Sequence, residues 1–83
     1  METGWPLGNR PVARRMWSVY KAGRLAECEI NAHPLGVEMR FYERGDLTMS
    51  RVFEIEALAK AEAGELKRDL LRDGWSDRPP KPR

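Results

Sequence analysis

The chain holds a single cysteine and a single histidine among its 83 residues, the two side chains whose pairing most often makes a nucleophile. Cys28 falls on the apolar side of an alternating stretch, and His33 falls in a turn that contains Pro34. Five residues of extended chain separate them by roughly 16 Å, too far for a thiolate–imidazole pair. They read as a small core hydrophobe and a turn histidine. A zinc site would have to add carboxylates to this pair, an uncommon ligand set for a structural site, and no acidic spacing resembles a calcium loop. Glu27, Glu29 and Glu38 share one strand face, and paired carboxylates can serve as acid and base. Arg40 shares that face, so cross-strand charge pairing is the simpler account. The seven glycines are dispersed and none leads from a strand into a helix, as a phosphate loop requires. The expectation is a protein that is not an enzyme, with no cofactor, no metal and no small-molecule substrate.

The elements that position these residues follow from periodicity. Apolar side chains recur with period 2 before about residue 50 and near 3.6 after it. Ala26, Cys28 and Ile30 alternate with Glu27, Glu29 and Asn31, and Val37, Met39 and Phe41 with Glu38, Arg40 and Tyr42; these are two half-buried strands. Residues 16–21 are rich in aromatic and β-branched types and read as a strand before them. Residues 46–52 read as a fourth strand, with Leu47 and Met49 inward. Ala22-Gly23 and Arg44-Gly45 suit tight hairpins. The connection over 31–36 holds Pro34, which cannot donate to a ladder, and is expected to open into a longer loop.

Beyond Phe53 the pattern is helical. Ile55, Leu58, Ala59, Leu66 and Leu70 form one stripe, Glu54 and Glu56 open it and Arg72 closes it, as the helix dipole prefers. Glu56 and Lys60 are spaced for an i,i+4 pair. Gly74 stands where a left-handed cap is needed, with Trp75 placed to fold back onto Leu70. Gly64 is costly in a helix interior and would be explained by a close approach of helix to sheet. The predicted fold class is α+β: a four-stranded antiparallel meander with one C-terminal helix on one face, ββββα. Trp17, Val19, Arg40 and Tyr42 are expected on the face left open.

Apolar residues make up 41% and charged residues 34% of the chain, a globular balance. The net charge of +2 is uneven. Residues 1–15 read as a flexible basic segment with Arg10, Arg14 and Arg15, and 76–83 as a Pro/Arg-rich flexible tail with Arg78, Lys81 and Arg83; 16–75 is the single folded domain between them. Met16, at the head of that domain, reads as an alternative start. No apolar run approaches the roughly 20 residues of a membrane helix, and no secretory leader is visible. One cysteine forms no internal disulfide. A soluble cytoplasmic protein is expected, and the arginine bias fits a high-GC bacterial genome.

Gly23-Arg24-x-Ala26, Cys28-Glu29-Ile30, His33-Pro34-Leu35-Gly36, Ser50-Arg51-Val52-Phe53 and Gly74-Trp75 together resemble short uncharacterised bacterial proteins with a β-meander and a C-terminal helix. The resemblance spans roughly residues 16–75, implies that fold and carries no activity with it. Two functional readings remain. The first is a binding or regulatory module whose open sheet face, through Trp17, Val19, Arg40 and Tyr42, takes a protein partner or a second copy; unpaired outer strands could also accept a strand. The alternative is nucleic-acid binding through phosphate contacts of the basic tails.

Overall fold

The computed structural model describes residues 14–81. Four strands and one helix follow in order: β1 (Arg14–Lys21), β2 (Arg24–His33), β3 (Gly36–Glu43), β4 (Asp46–Phe53) and α1 (Glu56–Arg72). The strands form one antiparallel sheet in the order β1-β2-β3-β4, so every neighbour in space is a neighbour in sequence.

The meander follows from three two-residue turns. Ala22 and Gly23 have φ of 51° and 75°, and Arg44 and Gly45 of 57° and 83°, the paired left-handed geometry that matches the twist of flanking strands. The middle connection is shorter than its sequence implied: β2 and β3 stay paired to His33 opposite Gly36, leaving only Pro34 and Leu35 in the turn. Proline is at home in the first of those two positions, where its fixed φ is needed and its missing N–H is not. The His33 Nδ1 closes the turn by accepting the Leu35 N–H at 3.1 Å. Gly36, with φ 141°, lies so near the end of β4 that a Cβ there would meet the Phe53 carbonyl oxygen at 2.2 Å.

Among the described residues, one sheet face is covered by α1 and the other is bare. The core holds Trp17, Val19, Ala26, Cys28, Ile30, Met39, Ala59, Ala63 and Trp75, with Val37, Phe41, Met49, Phe53, Leu66 and Leu70 packed against it. The helix therefore meets the sheet along Ala59, Ala63, Leu66 and Leu70, a stripe with the spacing of one helix face. Ile55 and Leu58, read from the sequence as part of that stripe, are 56% and 51% exposed, and Leu47 is 52% exposed rather than inward. Ile55 is not within the helix: it precedes it with extended backbone and gives α1 no side-chain cap.

The far end of α1 matches its sequence signal. Gly74 is left-handed at φ 98°. Its N–H bonds to the Leu71 carbonyl at 3.2 Å and the Trp75 N–H to that of Leu70 at 3.0 Å, the paired arrangement of a Schellman cap. The chain then runs on to Ser76, which exchanges two backbone hydrogen bonds of 2.7 and 2.8 Å with Tyr20 on the outer edge of β1. Gly64 needs no close approach to explain it, because a Cβ there would find only the Arg68 side chain, at 3.8 Å.

Candidate functional site

Strand register decides which side chains share the bare face. Trp17 pairs with Cys28 and Val19 with Ala26, so both point under the helix, where Trp17 is 9% exposed and Val19 fully buried. The expectation that they line the open face is corrected. The signal was present: a two-residue turn at 22–23 sets Val19 opposite Ala26, which alternation already placed inward. A bulge between Arg15 and Trp17 then leaves Arg15 on the face opposite Trp17.

Arg40 and Tyr42 do lie on the bare face. Two rows of cross-strand neighbours form its centre, Ser18–Glu27–Tyr42–Leu47 and Arg15–Glu29–Arg40–Ser50. Tyr20 and Leu25 flank them toward the hairpin end, and Glu38 and Val52 toward the other. Ion pairs join Arg15 to Glu27 at 3.0 Å and Arg40 to Glu38 at 3.1 Å, with Glu29 standing between the two arginines. The Arg40 guanidinium is pushed above its ordinary pKa, chiefly by its hydrogen bond to Tyr42 and next by Glu38. The Thr48 hydroxyl donates to the Phe41 carbonyl at 3.1 Å, bridging the bulge that brings Leu47 opposite Tyr42. The result is a mixed surface of aromatic, aliphatic and paired charged groups, of the kind that non-obligate protein interfaces use.

The basic residues read as phosphate contacts divide. Arg14 and Arg15 belong to β1, not to a flexible leader, and both are tied down: Arg14 meets Glu56 at 2.7 Å and Arg15 meets Glu27. Glu56 also meets Lys60 at 3.0 Å, and its carboxyl is held below the usual range, first by Arg14 and then by Lys60. A chain starting at Met16 would lose both arginine pairs. Arg78 and Lys81 are exposed, while Arg10 and Arg83 lie outside the described residues. Along the rest of the fold, Arg24, Arg51, Lys67, Arg68 and Arg72 each have a carboxylate partner. The helix surface is thus a lattice of compensated charge and not a basic stripe.

Cys28 and His33 sit on opposite sheet faces, as their odd spacing requires. Burial on the inner face, with Glu29 adjacent, pushes the Cys28 thiol up to about 11, the reverse of what activates a nucleophile. A cleft of about 250 Å³ opens beside the start of α1, lined by Arg14, Ile30, Ala32, Val37 and Glu56 among others. Its charged pair is already satisfied and neither Cys28 nor His33 reaches it. Among the described residues, no three His, Cys, Asp or Glu side chains group as metal ligands, and no helix is long and apolar enough to cross a membrane. No family model, no curated protein and no solved structure matches the chain.

Proposed function

We propose that this protein is a non-enzymatic binding and regulatory module of the bacterial cytoplasm that takes a protein partner on its bare sheet face. The observation that carries the reading is the division of the sheet. A single helix covers one side, and Tyr20, Leu25, Tyr42, Leu47 and Val52 remain on the other among charges most of which are paired. Tyr42 is the central anchor, cross-strand from both Glu27 and Leu47. Aromatic side chains of this kind give large contact area at small entropic cost.

The test is affinity capture from the native host with the full chain and with a Tyr42→Ala/Arg40→Ala variant, each with and without nuclease. Both substitutions lie off the core, so the variant keeps its melting temperature to within a few degrees. A nuclease-resistant protein caught by the parent chain and lost by the variant supports the reading. A catch that the folded variant retains, or one that nuclease abolishes, overturns it; the latter favours phosphate contacts through Arg78 and Lys81.

A further inference from the structure

The sheet is incomplete at one corner. The described part of β1 begins at Arg14, opposite Ile30, whereas β2 runs on through Asn31 and Ala32 to His33. On its other side β2 is paired to the end, with Ala32 opposite Val37 and His33 opposite Gly36, and its register against β3 has no bulge. The Leu25 carbonyl accepts the Arg44 N–H on that β3 side. Alternation therefore turns the odd-numbered residues of β2 toward β3 and the even-numbered ones toward β1. The N–H and carbonyl of Ala32 thus point past Arg14, where no described residue stands opposite them.

The cleft of about 250 Å³ lies at the same corner, with Ile30, Ala32 and Val37 as its apolar lining. Asn31 lines it as well, and its Nδ2 is buried with no hydrogen-bond partner among the described residues. Arg14 is both the first described residue and part of the lining. The chain that precedes it therefore arrives at the cleft itself. That chain reads Pro11-Val12-Ala13.

We infer that residues 11–13 continue β1 along β2 and seat the Val12 side chain in this cleft. Carrying the register past Arg14↔Ile30 sets Ala13 opposite Asn31, Val12 opposite Ala32 and Pro11 opposite His33. Val12 then shares the helix-side face with Arg14, whose guanidinium meets Glu56 there at 2.7 Å, because alternate residues of a strand share a face. Its branched side chain fits the apolar lining, and its backbone meets the N–H and carbonyl that Ala32 turns outward. Pro11 falls opposite an odd-numbered residue, so its nitrogen faces away from β2, the position on an edge strand where proline removes no ladder hydrogen bond. A slip setting Val12 opposite Asn31 would turn it onto the bare face and aim the proline nitrogen at Ala32. A chain starting at Met16 would lack this strand end and leave the cleft open. The cleft lies on the helix side and Tyr42 on the other, so the inference stands or falls separately from the partner proposed for the bare face.

NMR on the isotopically labelled full chain tests the pairing without any substitution. The expected result is a close contact between the Ala13 and Asn31 Hα protons, the mark of an antiparallel pair that exchanges no hydrogen bonds, with contacts from the Val12 methyls to Ile30 and Val37. The Ala32 amide should exchange with solvent at least about tenfold more slowly than in an unfolded chain. Val12→Asp puts a charge into the cleft and should return Ala32 to within about threefold of the unfolded rate. The amides of Cys28 and Met39 should stay protected in that variant, which shows that the rest of the sheet is folded. An Ala32 amide that exchanges at the unfolded rate in the parent chain overturns the inference. So does an Ala13 contact in another register, or protection of Ala32 that survives Val12→Asp, because a different segment then covers this edge.

Discussion

The Trp17 indole Nε1 donates to the Ala63 carbonyl oxygen at 2.9 Å, joining the first strand to the middle of the helix across 46 residues of chain. The ring also lies 6.1 Å from that of Phe41 at a tilt of 49°, within the distance at which aromatic pairs attract. Ala59 and Ala63 are fully buried above the sheet, and their small side chains let α1 come down onto this indole. Trp17 is thus the residue that sets helix height and helix rotation together. Trp17→Phe should cost about 1–2 kcal/mol, from one lost hydrogen bond and a small void. Trp17→Ala should cost roughly 3–5 kcal/mol, enough to unfold much of a domain this small. Urea titration followed by circular dichroism separates these outcomes from the near-zero cost of a surface tryptophan.

Gly64 offers the opposite case. It lies inside α1 with room for a methyl group, so Gly64→Ala removes backbone freedom from the unfolded chain without a clash. A gain of about 0.5–1 kcal/mol is expected. A loss of stability on thermal unfolding would mean that the helix passes nearer to its neighbours than the 3.8 Å clearance to Arg68 implies.

Ile55 occupies the N-cap position with φ −136° and ψ 155° and makes no cap hydrogen bond. That backbone is already the one serine adopts when it caps a helix. Ile55→Ser should therefore stabilise the fold by about 1 kcal/mol. Thermal unfolding of the variant beside the parent chain checks the sign.

Alkaline stability reports on Cys28. Its folded pKa is raised from 9.0 to about 11, chiefly by burial and secondarily by Glu29. Below pH 9 both folded and unfolded thiols are protonated and the contribution is fully present. Between about 9 and 11 the unfolded thiol ionises first, so stability falls as pH rises. Cys28→Ala should be less stable at neutral pH because of the small cavity, yet it should lose less on going from pH 8 to pH 10.5. Parallel slopes for the two proteins would show that the thiol is not the group responsible.

Alternation and turn chemistry made most of the fold legible. The ββββα order, the hairpins at Ala22-Gly23 and Arg44-Gly45, and the Gly74 cap could all be seen in residue types, because each is a local preference. What was misread was rotational phase. In β1, Met16, Trp17, Val19 and Tyr20 put apolar groups on both faces, so period 2 is ambiguous, and only register against β2 resolves it. In α1, leucines dominate any reading of apolarity, whereas the helix turns two alanines inward because Trp17 already fills the space beneath. The bare face was foreseeable as a region, with Arg40 and Tyr42 on it. Its makeup was not, since the Leu47 placement depends on a bulge that inserts Thr48.

The strand order described above has a kinetic consequence. Each hairpin closes only a two-residue loop, so the sheet can assemble by successive local steps, each cheap in chain entropy. Docking of α1 is the one event that must bring distant segments together, through Trp17 with Ala63 and Tyr20 with Ser76. Such contacts form late, so their loss acts mainly on unfolding. The helix then works as a latch: trimming its contacts shortens the lifetime of the folded sheet far more than it slows the making of it.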